Sequence, residues 1–192
     1  RLSSSATIDI YDGATGEQLL RFPHPDDAPA ALAIHGATLY TITSSITTLK
    51  STVRRFDISA LTPVIGLSGE LAGYNYSSLQ VAPDGSFLLA NENITGGTPR
   101  QLDADSLNTI RSFEWEGEAY YGQAIASSNS DEVVLSWGYK PETVSQNIEA
   151  RDAATGALRR IGYWPDNPDF NSGMGLLPLP NNALAYLFVN GI

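Results

Sequence analysis

The stretch Ile10-Tyr11-Asp12-Gly13-Ala14-Thr15-Gly16-Glu17 ends one segment of alternating polarity and leads into another at Leu19. An Asp side chain accepts hydrogen bonds from backbone N–H groups two residues on, Thr does so more weakly, and Gly supplies positive φ. Related turns follow Asp57, Asp103 and Asp152, so the four aspartates are spaced by 45, 46 and 49 residues. The stretch is therefore a hairpin connection that recurs at a repeat-like period.

A second set of turns falls between these aspartates. The first apolar residue after each turn is Leu39, Phe87, Val133 or Leu184. The segments that follow are nearly all apolar, which predicts strands buried on both faces, whereas the later strands of each unit are more polar. A gradient from buried inner strands to more solvent-exposed outer strands is typical of a propeller blade. The sequence therefore predicts an all-β fold, a β-propeller of four-stranded antiparallel blades with four repeats visible.

The predicted blades form one domain over residues 1–192. They span about 30–67, 77–115 and 121–164, and a split blade combines 173–192 with 6–22. Joining the two half-blades would close a four-blade ring and leave no open edge. A piece of a larger propeller would show the same complementary ends, and both alternatives stay open. A β-sandwich is the alternative fold, although the regular period argues against it.

Two of the turns, with their flanks, resemble the repeats of quinoprotein-like (PQQ-type) and YVTN-type β-propellers. The residues that carry this resemblance are Ile10 to Glu17 and Ala150 to Gly156. In quinoprotein dehydrogenases a tryptophan follows at a fixed distance, where this chain has Leu20 and Arg160. The resemblance therefore implies a fold and little chemistry, because such propellers serve enzymes, adhesins and scaffolds alike.

Composition excludes several classes of function. The net charge is -10, from 11 basic and 21 acidic residues, which argues against nucleic acid and anionic membranes as partners. The chain has no cysteine, so disulfides, thiolate zinc sites and cysteine nucleophiles are excluded. The sequence contains no run of 18 apolar residues that could form a transmembrane helix. The chain begins at Arg1, so we expect it to be processed, trimmed or cut from something longer. We also expect an extracellular or periplasmic protein.

The two histidines offer little catalytic chemistry. His24 lies in a proline-rich loop, where a metal site would pair it with Asp26 or Asp27, but we expect an exposed loop residue. His35 lies at a hairpin turn, where solvation explains it better than ligation. No nucleophile elbow accompanies either histidine, which argues against a catalytic triad.

The predicted strand order places ten of the 21 acidic residues on one loop face, with few cations beyond Lys50, Arg100 and Lys140. These acids are Asp26, Asp27, Glu70, Glu92, Glu114, Glu116, Glu118, Glu142, Asp166 and Asp169. Aromatic residues gather in the same loops, and the two types together favour recognition of a protein or a glycan. Packing between blades and simple solvation are the competing interpretations. The candidate binding residues are Glu114, Trp115, Glu116, Glu118 and Tyr120, then Asp166 and Asp169.

No cofactor is predicted, and the metal site is left unknown. Calcium is the alternative, since it takes carboxylate and carbonyl oxygens. The nearest approach to a calcium loop is Asp103-Ala104-Asp105, which the turn chemistry also explains.

Three functional hypotheses follow. The first is a non-enzymatic binding or scaffold module that recognises a protein, a glycan or a like subunit through the acidic, aromatic loop face. The second is a propeller, or part of one, from a lactonase-like or quinoprotein-dehydrogenase-like enzyme. The third is a structural subunit of an extracellular assembly.

Overall fold

The structure is a computed structural model. It describes residues 6–26, 29–60, 63–73, 75–92, 97–113, 121–138, 146–164, 175–178 and 184–187. All regular elements in these ranges are β-strands. Contacts divide the chain into two compact units, Arg1–Leu79 and Gln80–Ile192, and the division falls within one strand.

Unit 1 contains a two-stranded sheet and a four-stranded sheet. The first is β1 (Thr7–Tyr11) paired with β2 (Gln18–Pro23). The second, which we call blade 1, runs in the order β3 (Ala31–His35), β4 (Thr38–Ser45), β5 (Lys50–Asp57) and β6 (Val64–Ala72). Both sheets are antiparallel, and each strand of blade 1 pairs with the next along the chain.

Two further four-stranded sheets and a second two-stranded sheet follow. Blade 2 is β7 (Tyr76–Val81), β8 (Phe87–Glu92), β9 (Arg100–Asp103) and β10 (Thr109–Ser112). Blade 3 is β11 (Tyr121–Ala126), β12 (Glu132–Gly138), β13 (Gln146–Asp152) and β14 (Leu158–Trp164). The last sheet pairs β15 (Gly175–Pro178) with β16 (Leu184–Leu187). The four-stranded antiparallel blades expected from the sequence are therefore present.

The polarity gradient within a blade is confirmed. All six residues of β8 are buried, whereas β10 at the edge of the same sheet is largely exposed. In β4 the residues Leu39 to Ile42 are buried, and in β12 the residues Glu132 to Ser136 are. The second strand of each blade therefore lies within the core, as the apolar runs predict.

The core lies between consecutive sheets. In unit 1, Ile8 and Phe22 of the β1–β2 sheet pack against Leu39 and Phe56 of blade 1. In unit 2, one cluster joins blades 2 and 3 and contains Ala82, Phe87, Leu89, Phe113, Ala124, Ala126, Val133, Leu135 and Ala153. Face-to-face packing of blades excludes water from both seams, which makes the sheets a firm support for their connecting loops.

The single domain over 1–192, with blades at about 30–67, 77–115 and 121–164, stays a prediction. The joining of 173–192 with 6–22 into one split blade stays a prediction.

Candidate functional site

The binding residues predicted from the sequence lie outside the described residues. Glu114, Trp115, Glu116, Glu118 and Tyr120 fall in 114–120, and Asp166 and Asp169 fall in 165–174. The prediction that they form a binding face therefore stays a prediction. The described residues show instead how neighbouring sheets are held together.

Three described acids of the predicted loop face have partners within the chain. Asp26 forms a two-point ion pair with Arg54, at 2.5 Å to Nε and 2.8 Å to Nη2. The hydrogen bonds from this guanidinium lower the pKa of Asp26. Glu70 accepts a hydrogen bond from Lys50 Nζ at 2.7 Å, and the buried Glu92 accepts one from the Thr98 backbone N–H at 3.4 Å. Arg54 is a cation that the sequence argument did not place on this face.

His24 corrects an expectation. It is 2% exposed, so the expectation of an exposed loop residue is wrong. Its Nδ1 accepts a hydrogen bond from the Asp26 backbone N–H at 3.3 Å, which leaves Nε2 to donate to Thr41 Oγ1 at 2.9 Å. The ring also lies 5.7 Å from that of Phe56. Because Thr41 is fully buried, this imidazole–hydroxyl pair is closed to a substrate, and it ties the β1–β2 sheet to blade 1.

The aspartate turns have the chemistry that the sequence predicts. Asp12 Oδ1 accepts hydrogen bonds from the N–H groups of Ala14 and Thr15, both at 2.8 Å. Asp103 Oδ1 accepts two from Ser106, from N and from Oγ, both at 2.7 Å. These bonds lower the pKa of both aspartates, because each acceptor is stabilised in its charged form. In the calcium-like stretch Asp103-Ala104-Asp105, the Asp103 carboxylate therefore accepts hydrogen bonds from its own turn.

Leu107 shows how strongly this turn constrains the backbone. Gly16 and Gly156 have φ of 72° and 76°, and Leu107 at the equivalent position of blade 2 has φ of 59°. A left-handed conformation is costly for any residue with a Cβ atom. Leu107 is 2% exposed, so burial of its side chain offsets that cost.

Side-chain amides join blade 2 to blade 3. Asn91 Nδ2 donates to the Ala124 carbonyl at 3.1 Å, and Asn91 Oδ1 accepts from the Ala124 N–H at 2.7 Å. Gln80 Oε1 accepts from the Ala126 N–H at 3.1 Å. Since β11 is the edge strand of blade 3, its outward N–H and C=O groups have no ladder partner. The two side-chain amides therefore satisfy backbone groups of β11 that a neighbouring strand would otherwise pair.

Two further side chains of blade 2 bind the aspartate turn of blade 3. Gln101 Nε2 donates to the Ala153 carbonyl at 3.0 Å, and Arg111 Nη2 donates to the Ala154 carbonyl at 2.6 Å. A Cβ atom at Gly156 would lie 2.0 Å from Arg111 Nη1, so this glycine makes room for the guanidinium. Sequence reasoning missed all four of these side chains. A polar residue directly after the apolar run 87–90 was the only local signal for Asn91.

An ion network lies at the hairpin end of blade 3. Arg159 contacts Asp131 Oδ2 at 3.1 Å and Glu132 Oε1 at 3.2 Å, and it also pairs with Asp152. Arg160 pairs with the second oxygen of Glu132. The pKa of Asp152 falls to about 2, first because Thr155 donates hydrogen bonds to it and then because of Arg159. The cations facing these acids come from β14, which sequence spacing alone did not indicate.

In the part of the chain that the structure describes, no three metal-ligating side chains lie together. The same residues contain no helix that is long and apolar enough to cross a membrane.

Comparison with known proteins supports the fold. No family model and no curated protein matches the sequence. The chain is similar to a solved chain of Kuenenia stuttgartiensis hydrazine synthase, with a TM-score of 0.67 and 16% identity. That match covers 94% of this chain and 49% of the other. A chain in the crystal structure of the mitotic checkpoint complex matches with a TM-score of 0.56 and 18% identity, over 81% of this chain and 44% of that one.

This chain thus spans about half the length of either structural neighbour. At these identities the likeness shows the fold and not the activity. Together with the three blades, it defines the class of protein as a β-propeller.

Proposed function

We propose that this chain is a non-enzymatic β-propeller module that binds a protein partner through its acidic, aromatic loop face. One observation carries the proposal. The buried amides of Asn91 and Gln101 bind the backbone of the adjacent blade, so the polar interior that the structure describes is used to hold the blades together. A rigid support of this kind leaves recognition to the connecting loops.

Charge favours a basic surface on the partner. The chain carries a net charge of -10, and the loop 114–120 contributes Glu114, Glu116 and Glu118 beside Trp115 and Tyr120. Complementary potentials accelerate encounter and suppress wrong partners, while aromatic side chains provide the buried contacts that dominate binding energy. Asp166 and Asp169 would extend the same face. A glycan is the alternative ligand for aromatic residues beside carboxylates.

One structural neighbour supports the proposal of a protein partner. That neighbour is a chain in the crystal structure of the mitotic checkpoint complex. The finer assignment to the quinoprotein-like or YVTN-type family rests on the turn residues alone and stays a prediction, as does the extracellular or periplasmic location.

The test compares two double variants that each remove two negative charges. In Glu114→Gln/Glu116→Gln the charges are lost from the proposed face, and in Glu17→Gln/Asp105→Asn they are lost from exposed positions in the aspartate turns. Binding of an oligo-lysine peptide is measured by titration calorimetry at low salt. We expect the first variant to weaken binding by about tenfold and the control by less than about twofold.

Equal weakening in both variants would mean that the peptide responds to net charge alone, and the proposed face would be wrong. The same calorimeter tests calcium, which the loop carboxylates could bind. Heat on addition of calcium chloride that disappears in the Glu114→Gln/Glu116→Gln variant would assign calcium to this face.

The enzymatic alternative has some support in the other structural neighbour, which is named as a hydrazine synthase. An enzyme of the lactonase or quinoprotein-dehydrogenase type would hold a metal or a quinone. Metal analysis and an absorbance spectrum of the purified native protein decide between the two. A colourless, metal-free sample would remove this alternative.

A further inference from the structure

The connection between β6 and β7 contains a modification motif that neither the fold nor the proposed function uses. Asn75-Tyr76-Ser77 has the form Asn-x-Ser, and the residue between the asparagine and the serine is not proline. This is the acceptor pattern for N-linked glycosylation, in which a sugar is attached to the asparagine side chain. The pattern is short enough to occur by chance, so the inference depends on its surroundings in the folded chain.

The three residues of the motif alternate in exposure as a surface acceptor site requires. Asn75 and Ser77 are both exposed, whereas Tyr76 between them is 1% exposed. Ser77 is the second residue of β7, and side chains two residues apart in an extended chain project to the same side. The amide that would accept the sugar and the hydroxyl that the motif needs can therefore be approached together from solvent.

The backbone on both sides of the acceptor residue is anchored to the protein. The Tyr76 hydroxyl donates to the Ala72 carbonyl at 3.1 Å. The Gly73 carbonyl accepts a hydrogen bond from Ser51 Oγ at 3.0 Å, and Ser51 is fully buried. Because these contacts involve the residues before and after Asn75, a sugar on the Asn75 side chain would leave them in place.

We infer that Asn75 is an N-glycosylation site. The co-reactant is an oligosaccharide carried on a polyprenyl pyrophosphate. Asn75 Nδ2 attacks the anomeric carbon of the first sugar, so that a C–N bond forms while the C–O bond to pyrophosphate breaks. The pyrophosphate leaves with the bonding electron pair, and the amide loses one proton to a base of the transferase. The step is a substitution and needs no oxidant or reductant.

This inference goes beyond the proposed function and does not rest on it. The motif belongs to unit 1, whereas the proposed binding residues in 114–120 belong to unit 2. The modification requires passage through a glycosylating membrane, so a sugar on Asn75 would also be chemical evidence for the predicted export of the chain.

The first experiment maps peptides of the native protein by mass spectrometry before and after treatment with peptide N-glycosidase. The enzyme removes the sugar and converts the asparagine side chain to a carboxylate, which marks the modified position. We expect this mark at Asn75. The other stretch of this form, Asn93-Ile94-Thr95, lies outside the described residues and is read in the same digest as an internal comparison.

The second experiment secretes the chain from a glycosylating host and compares variants of the motif. Asn75→Gln should lose the sugar at this position. Ser77→Ala removes only the hydroxyl and should lower the occupancy of Asn75 by about tenfold or more, whereas Ser77→Thr keeps a hydroxyl and should retain it. The matched control Asn93→Gln should leave the occupancy of Asn75 unchanged. Because Asn75 and Ser77 are exposed, their variants should stay within about 0.5 kcal/mol of the parent in urea denaturation.

Three results would overturn the inference: an unmodified Asn75 in the native protein, a sugar on Asn93 alone, or equal occupancy of Asn75 in Ser77→Ala and Ser77→Thr. An unmodified Asn75 would leave the proposed loop-face function standing. Failure of oligo-lysine binding would in turn leave the glycosylation site standing.

Discussion

Asn91 provides the sharpest test of how blade 2 is joined to blade 3. Its side chain is 5% exposed and makes two hydrogen bonds to the backbone of Ala124, which is itself fully buried. Asn91→Ala removes both hydrogen bonds, which costs about 1 kcal/mol each. It also leaves the buried Ala124 N–H without a partner, which costs about 1–3 kcal/mol more. We expect the free energy of unfolding to fall by at least about 3 kcal/mol, the low end of this sum. With an m-value of about 2 kcal/mol/M in urea, the midpoint should drop by about 1.5 M.

The assay is urea denaturation followed by tryptophan fluorescence. All three tryptophans of the chain, at positions 115, 137 and 164, belong to the sequence of unit 2. Asn108→Ala is the control, because Asn108 is an exposed asparagine in the neighbouring turn. Its midpoint should stay within about 0.3 M of the parent, which corresponds to about 0.5 kcal/mol. A loss below about 1 kcal/mol for Asn91→Ala would refute the idea that this amide replaces a missing strand at the β11 edge.

Three further predictions concern the turns and the seam in unit 1. Gly156→Ala should cost about 1–2 kcal/mol in urea denaturation, because φ is +76° and the new Cβ atom meets a guanidinium, whereas Gly13→Ala, with open space around it, should be nearly neutral. The pKa of Asp152 is about 2 in the folded chain against 3.8 unfolded, so its stabilisation is complete above pH 3.8 and is lost as the pH falls towards 2. Asp152→Asn should therefore flatten the decline of the urea midpoint across that window, and an unchanged acid limb would contradict the assignment. His24→Ala should cost about 2–4 kcal/mol in thermal and urea unfolding, since it leaves a cavity and a buried hydroxyl without its partner, whereas His35→Ala at an exposed position should change little.

Short-range chemistry explains why the fold was predictable. The turn at Asp12 closes through hydrogen bonds that span two and three residues, and the turn at Asp152 closes through one that spans three residues, from Thr155. Such bonds depend only on neighbouring residue types, so the repeat and its hairpins are visible in the sequence. The burial of β8 was equally predictable, because a continuous apolar run is stable only where both faces of the strand are buried.

The environment of individual polar residues was not predictable in the same way. A histidine between two prolines resembles an exposed loop residue, yet His24 is buried. Its hydrogen-bond partner Thr41 lies on another sheet, 17 residues further along the chain, so the local sequence did not indicate the contact. The predicted recognition residues in 114–120 stay a prediction, since they lie outside the described residues.

The amino-acid sequence by itself therefore determined the repeat, the strand order within each blade and the buried second strand, all of which follow from turn chemistry and polarity over a few residues. Only the tertiary structure decided which polar side chains hold blades 2 and 3 together. Asn91 contacts Ala124, which lies 33 residues further along the chain. Contacts of this kind depend on how neighbouring sheets pack, and the residue type at a single position does not predict that packing.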